Sequence, residues 1–234
     1  NDPAKSQCNV QSYQDFSSAF TSSSIPVLFV PGENDWNECP VPQTAWQNWI
    51  TYLSSYNANG IVKPGVQTQN GRPENFVLKQ GKVMFIGLNM VGGGGTKAKT
   101  ATTTIDNNGV DDPTSSAWSE RLVQNYEWVN TNVEMYRTSI EVVVLFGNSA
   151  DEDGINAAFF DPLVDAITNW NKLQPLVFLY ITKSDEQWSI KQQYLGNKKL
   201  MRINIEESLL PPMQIVIDTK QDKLRFDQEN WYKA

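Results

Sequence analysis

The sequence contains no histidine among its 234 residues. Histidine is the side chain whose unperturbed pKa lies near neutral pH, and its neutral imidazole is a common ligand of transition metals. The chain therefore has no neutral nitrogen side chain with which to hold a pair of catalytic transition metals. It also has no side chain whose ordinary pKa suits a general acid at neutral pH.

Long apolar runs and excess positive charge are also missing. The longest apolar stretches, such as PLVFLYI, are about seven residues long, whereas roughly 20 residues are needed to span a bilayer. The formal net charge is −7, which argues against nucleic acid or an anionic membrane as the main partner. We therefore expect no transmembrane segment, no signal peptide and no nucleic-acid partner.

Only two cysteines are present, Cys8 and Cys39, and each lies in a polar, loop-like context. Buried structural thiols usually occur in apolar segments, so this context favours a disulfide between the two and an oxidising compartment. The alternative is two free thiols in a reducing compartment. No N-x-[ST] glycosylation signal occurs, which favours an organelle lumen or a periplasm over the glycosylating secretory route; the expected location is an organelle lumen, a periplasm or the extracellular space.

Hydrophobic periodicity predicts a single α/β domain over residues 1–234. Helices are predicted for 9–21, 44–56, 117–137 with Ser119 as the cap, and 155–171 with a kink near Pro162. Strands are predicted for Val27–Val30, a hairpin over 74–90 that turns at Gln80-Gly81, 140–148, 175–181, and two or three alternating strands after 198.

A segment rich in Gly, Thr, Asn and Asp, residues 92–117, has no periodicity and predicts a long flexible surface loop. It includes Asp106–Asp112, which resembles half of an acidic calcium loop, as does Asp151–Gly154. Neither segment continues to a glutamate at the twelfth loop position. A calcium-binding module is therefore one functional alternative, and a solvated turn is the other interpretation of both segments.

Three polar residues, Glu33, Asn34 and Asp35, follow an apolar stretch directly. They belong to the segment PGENDWNEC, Pro31–Cys39, which NDPAKSQC, Asn1–Cys8, precedes. With KVMFIGLNM, EVVVLFGNSAD, PLVFLYITKSD and the closing strands, these segments resemble the calcineurin-like metallophosphoesterases, in a divergent branch with the signature PGDNEWxDC. The resemblance covers nearly the whole chain, and its first signature is the specific part.

The resemblance implies an α/β fold in which two sheets form a sandwich flanked by helices. It places the family's first strand, with an Asp-x-His motif, upstream of Asn1, so this strand is expected to be missing here. The exposed sheet edge would then be covered by an upstream segment or by another polypeptide, which implies a protein partner.

The family's metal-binding motifs map onto this chain with every histidine replaced. The matched metal-ligand positions are Asp2, Glu33, Asn148 and Asp185. Asn34 stands where the family has the histidine that protonates the leaving group, and Asp35 follows it. The resemblance therefore implies a vestigial site that holds no cofactor, or only a weakly bound Ca²⁺ or Mg²⁺. The alternative for Glu33, Asn34 and Asp35 is loop hydrogen bonding and capping of the helix that follows.

These observations predict a non-catalytic, metallophosphoesterase-like protein, a pseudoenzyme that serves as a structural or binding subunit of an assembly. Abundant aromatic residues, 8 Trp, 8 Tyr and 10 Phe, offer anchors for such an interface. The first alternative is a metal-dependent phosphoesterase with oxygen-only ligands, completed by an upstream segment. The calcium-binding module remains the second alternative.

Overall fold

The computed structural model describes eleven segments of the chain. These are residues 8–21, 23, 26–32, 35–36, 39–54, 65–90, 116–150, 154–184, 188–206, 214–221 and 223–227. The predicted ligands Asp2, Glu33 and Asp185 lie outside these segments, as do Asn34 and the acidic segment Asp106–Asp112. Residues 92–115 of the predicted loop and 151–153 of the second acidic segment also lie outside them.

The described residues form a mixed α/β structure. The helices are α1 (Val10–Thr21), α2 (Pro42–Trp49, continued by a π-helical turn, Ile50–Ser54), α3 (Ser116–Tyr136) and α4 (Ala157–Leu173). The strands are β1 (Gln67–Gln69), β2 (Arg72–Gln80), β3 (Val83–Gly87), β4 (Val142–Phe146), β5 (Val177–Ser184), β6 (Ser189–Lys191), β7 (Leu200–Glu206), β8 (Gln214–Asp218) and β9 (Lys223–Asp227). No helix in these segments has the length and apolarity required to cross a membrane.

Among the described residues, seven strands form one sheet in the order β1-β2-β3-β4-β5-β7-β6. Strands β3, β4, β5 and β7 are parallel neighbours, so their carboxyl ends meet at one edge. The hairpin of β2 and β3 turns at Gly81, whose φ of 56° suits glycine. This confirms the predicted hairpin, and α3 and α4 are the crossovers that parallel strands require.

The helices cover one face of this sheet. Alternate strand residues, among them Met84, Val143 and Phe178, join the buried faces of the helices in one apolar cluster. Leu122, Val129 and Val133 of α3 are buried there. Trp46, Trp49 and Leu53 of the α2 segment are also buried in the cluster.

The opposite face of the sheet carries a hairpin. Val144, Leu179 and Ile203 form a second buried cluster, against which partly buried residues of β8 and β9 pack. These two strands form the second sheet of the described residues. The α/β class and the alternating terminal strands are therefore confirmed. In the described residues the second layer is a two-stranded hairpin rather than one broad half of a sandwich.

Two predictions of local structure are wrong. Residues Val27–Val30 form no regular strand, because this run lies against α1, where the Phe29 ring contacts Phe16 at 5.2 Å and Phe20 at 5.4 Å. Ser119 does not cap α3, because that helix begins three residues earlier, at Ser116. The helix predicted for 155–171 is present and continues through Pro162.

A buried polar network under α3 was not foreseen from the sequence. Arg121 forms an ion pair with Glu74 of β2, and both side chains are almost completely buried. One turn later, Asn125 accepts a hydrogen bond from Asn75 at 2.7 Å and donates one to the backbone carbonyl of Asn89 at 3.0 Å. These contacts fix α3 against the β2–β3 hairpin, since an unpaired buried polar group is costly.

Candidate functional site

A pocket of about 360 Å³ lies at the carboxyl ends of β4 and β5. Four stretches of chain line it: residues 30–32 with Asp35, the end of β4 at 146–148, residues 181–183 of β5, and Ile205 of β7. The carboxyl edge of parallel strands is where α/β proteins commonly bind ligands, because loops from neighbouring strands converge there. We therefore take this pocket as the candidate functional site, and we call it the polar pocket after the charged and amide side chains of Asp35, Lys183 and Asn148 in its lining.

The loop that carries Asp35 is held by reciprocal hydrogen bonds. The Gly32 N–H donates to the Asp35 carboxylate at 2.8 Å, and the Asp35 N–H donates to the Gly32 carbonyl at 3.2 Å. Trp36, which is 0% exposed, follows directly and packs its ring 4.9 Å from that of Trp46. The carboxylate is therefore hydrogen-bonded within its own loop, and Asp35 is an exposed residue as a whole.

Helix α1 and the residue before it contact the segment that carries Asp35. A disulfide joins Cys8, just before α1, to Cys39, with 5.9 Å between their Cα atoms. The Tyr13 hydroxyl of α1 donates to the backbone carbonyl of Asp35. The predicted disulfide is thus present, and it is compatible with an oxidising compartment.

The opposite wall of the polar pocket is also set by backbone contacts. The Thr182 hydroxyl donates to the carbonyl of Asn148 at 3.0 Å, and the Gly147 N–H donates to the carbonyl of Ile181 at 3.1 Å. The Tyr180 hydroxyl donates to the carbonyl of Ser149. The Asn148 backbone is therefore tied to β5 on either side of its half-buried side chain.

Two residues of opposite charge, Asp35 and Lys183, line the polar pocket. Burial raises the pKa of the Asp35 carboxyl, while the Gly32 N–H and the nearby Lys183 ammonium act in the opposite direction. Burial affects the pKa of Asp35 more than Gly32 and Lys183 do. Asp35 lines the concave pocket even though the residue as a whole reaches solvent. Burial, and then the charge of Asp35, also raise the pKa of the Tyr13 phenol, so Tyr13 remains a hydrogen-bond donor.

The structure brings two of the residues singled out in the sequence into one pocket: Asp35 and Asn148. It adds Thr182 and Lys183, which lie inside PLVFLYITKSD, one of the segments on which the resemblance rests. Lys183 was not singled out, although a cation two residues before the predicted ligand Asp185 was a usable signal. Tyr13 was not among the predicted site residues.

Of the two alternative roles expected for Asp35, loop hydrogen bonding is present and capping of α2 is not. Its carboxylate forms the loop hydrogen bond with Gly32. It does not cap α2, because Val41 occupies the cap position of that helix without any side-chain hydrogen bond. Asp35 is therefore a pocket-lining loop residue rather than a helix cap.

The described lining does not fit a pair of divalent cations. Its charged groups are the Asp35 carboxylate, already held by a backbone N–H, and the Lys183 ammonium, which competes for the same negative charge. Asn148 adds one neutral amide oxygen. Within the described segments, no group of three or more carboxylate, thiol or imidazole side chains is placed to hold a metal ion.

Comparisons with known proteins assign no family. No protein-family model matches the chain, and neither the curated proteins nor the solved structures contain a match to it.

Proposed function

We propose that this chain is a non-catalytic protein of the calcineurin-like metallophosphoesterase fold that serves as a structural or binding subunit of a larger assembly. The observation that carries the proposal is that Asp35 and Lys183 line the same pocket, close enough for the Lys183 ammonium to act on the Asp35 carboxyl. An ammonium group stands within the segment where the resemblance expects imidazoles. A cation in the lining disfavours the binding of divalent metal ions beside it.

The chemistry of the polar pocket supports the non-catalytic part. Two-metal hydrolysis needs ligands that hold both ions a few ångströms apart and a group that protonates the leaving oxygen. The chain has no histidine to supply either function. Asp35 is the described carboxyl with a raised pKa, and its hydrogen bond to Gly32 is a local structural contact.

The contacts around the polar pocket support the proposed role of the chain as a structural or binding subunit. The disulfide holds Cys39, the Tyr13 hydroxyl holds the Asp35 carbonyl, and Trp36 is buried in the core. A binding subunit needs such rigidity, because a surface that is ordered before association loses less entropy on binding. Phe16 offers an aromatic contact on α1, since it is 48% exposed beside Phe20 and Phe29.

Phosphoesterase assays test the non-catalytic part. The oxidised 234-residue chain is incubated with p-nitrophenyl phosphate and its bis-ester in Mn²⁺, Zn²⁺ or Mg²⁺. We expect no turnover above that of the metal alone. Metal-dependent turnover that disappears in Asp35→Asn or Glu33→Ala would instead establish the alternative, a phosphoesterase with oxygen ligands.

Calorimetry with Ca²⁺ tests the second alternative. We expect no saturable heat in the millimolar range. Saturable binding that is lost in Asp151→Asn or Asp106→Asn would identify a calcium-binding module and contradict the proposal.

Size measurements test the subunit role. Under mild extraction from its native source, the protein should elute in a complex larger than the 26.4 kDa chain. Elution only as a monomer would contradict the assembly part of the proposal while leaving the non-catalytic part to the enzyme assays.

A further inference from the structure

A second pocket, of about 520 Å³, lies at the opposite end of the same strands. It is a slot between the amino ends of β4, β5 and β7 on one side and the turn end of the β8–β9 hairpin on the other. Pockets of roughly 300–1,000 Å³ are typical of small-molecule sites. This apolar slot shares no lining residue with the polar pocket.

The walls of the apolar slot are mostly hydrocarbon. The sheet contributes Val142, Val177, Leu179 and Met201, and the hairpin contributes Ile217 and Leu224. Leu179 is fully buried, whereas Val177 is 39% exposed where β5 begins. The hairpin therefore covers the inner part of the apolar face and leaves its amino end open. Water gains little in a space that offers it few polar partners.

Most polar groups at the rim of the slot are already engaged within the protein. Glu141 forms an ion pair with Lys82. The Asp218 carboxylate accepts hydrogen bonds from the backbone N–H groups of Lys220 and Gln221, at 3.0 and 3.2 Å. The Gln174 amide donates to the carbonyl of Ile140 at 3.2 Å.

Lys199 is the cation among the lining residues of the slot. Its backbone N–H donates a hydrogen bond to the Asn197 side chain at 2.9 Å. No ion pair of the described residues involves the Lys199 ammonium. The slot thus combines an apolar interior with one positive charge at its rim.

We infer that the apolar slot binds an anionic amphiphile with a single unbranched apolar chain, such as a medium-chain carboxylate. The chain lies between the sheet and the hairpin, two layers that in face-to-face sheets are about 10 Å apart. The head group pairs with Lys199. Of the two acids in the lining, Glu141 has its charge balanced by the Lys82 ammonium, and the Asp218 carboxylate, which keeps its charge, is held by backbone N–H groups of its own turn.

Calorimetric titration of the oxidised 234-residue chain with decanoate, below its micelle concentration and at low salt, tests this inference. We expect saturable binding at one site. Val177→Trp, which fills the mouth of the slot, should weaken binding at least about tenfold by excluding the apolar chain. Leu173→Trp is the matched control, since Leu173 is 70% exposed at the end of α4 and is not part of the slot.

A second pair of variants tests the head group. Lys199→Gln should weaken decanoate binding about threefold at low salt, the modest effect typical of an exposed ion pair, and the difference should shrink as salt is added. Lys198→Gln, at an exposed neighbour outside the slot, should bind like the parent chain. Circular dichroism and thermal midpoints establish that each variant is folded.

Several outcomes would overturn the inference. They are the absence of saturable decanoate binding, equal weakening by Leu173→Trp and Val177→Trp, and binding of 1-decanol as tight as that of decanoate. Sedimentation with anionic vesicles, without any binding of free decanoate, would assign the slot to a membrane surface instead. None of these measurements depends on phosphoester hydrolysis, so their failure is distinguishable from failure of the proposed function.

Discussion

The polar pocket and the apolar slot lie at opposite ends of the same parallel strands, but they are built from different kinds of structure. The polar pocket is lined by loops and strand ends whose backbone groups are fixed by hydrogen bonds from Tyr13 and Thr182. The apolar slot is lined by side chains of regular strands, as with Leu179 and Met201. Its opening exists because the hairpin covers only part of the sheet.

This difference predicts which substitutions should affect each end of the parallel strands. The polar pocket depends on a few specific contacts, among them a disulfide that links residues 31 apart in sequence. The apolar slot depends on burial spread over many side chains, a non-directional effect. Disturbances of the loop 30–36 should therefore alter the carboxyl end and leave the amino end unchanged. Hydrogen exchange measured by mass spectrometry can follow both ends in one experiment.

The largest effect is expected from removal of the disulfide. Replacing Cys8 and Cys39 by serine should lower the free energy of unfolding by about 3–4 kcal/mol, because the unfolded chain regains the freedom of the closed loop. Urea denaturation measures this loss. Hydrogen exchange should rise in 26–32 and 39–41 and remain unchanged in 142–143 and 199–201.

Chemical reduction of the unmutated chain is the control for the serine substitutions and should reproduce their effect. Equal loss of protection at both ends of the sheet would contradict the separation between the two pockets.

Gly147→Ala should have the next largest effect. A Cβ at this position would lie 2.6 Å from the Tyr180 hydroxyl and 2.8 Å from the Met90 Cβ. Such overpacking should cost about 1–3 kcal/mol and release the Tyr180 contact with Ser149. Thermal or urea unfolding measures the loss.

Gly32→Ala provides the comparison at the other wall of the polar pocket. The nearest atom to its added Cβ would be the Asp35 carboxylate oxygen, at 3.0 Å, which belongs to a side chain that can move. Its cost should be smaller than that of Gly147→Ala, and the reverse order would mean that the loop is the more rigid wall.

Tyr13→Phe should lower the free energy of unfolding by about 1 kcal/mol, the usual net value of one hydrogen bond. The substitution keeps the ring and leaves the Asp35 carbonyl without its donor. Urea denaturation gives the free energy, and exchange should increase in 31–36 more than elsewhere. Tyr126→Phe, at a half-buried position of α3 outside both pockets, is the control. An equal loss in the control would remove the assigned role of Tyr13.

The smallest effect is expected from Asp35→Asn, and its sign depends on pH. The pKa of Asp35 is raised in the folded chain above its ordinary value of 3.8, so the folded state binds the proton more tightly than the unfolded state. The charged form therefore destabilises the fold, and this penalty develops as pH rises from 3.8 through the folded pKa. At pH 7 the variant should be slightly more stable than the parent, and the gain should vanish below pH 3.8.

Unfolding midpoints measured across this pH range give the difference between the two chains. A variant that is less stable at pH 7 would show that attraction to Lys183 outweighs the burial of the carboxylate.

Prediction from the sequence succeeded where the local sequence pattern is sufficient to determine the secondary structure. The runs VVVLF and VFLYI are buried strands, and the β2–β3 hairpin turns at Gly81, as expected from alternation and turn chemistry. It failed for Val27–Val30, because a strand exists only if a partner pairs with its backbone. That run instead packs Phe29 against α1.

The candidate site was only partly predictable for a related reason. Asp35 and Asn148 were singled out from the family resemblance, and both line the polar pocket. Lys183 was passed over, because its proximity to Asp35 depends on a loop and a strand end that are about 150 residues apart in sequence. The buried Arg121–Glu74 pair was missed likewise, since nothing local distinguishes a buried charge from a solvated one.

The sequence by itself determined the absence of imidazole, the single pair of cysteines and the alternation of strands and helices. These are properties of composition and short-range pattern, which no folding step can change. Only the tertiary structure decided that Asp35, Asn148 and Lys183 share one pocket, and that a hairpin leaves an apolar slot open at the other end. The reason is that parallel strand order brings distant chain segments to one edge, and the extent of cover over a sheet face is a property of packing.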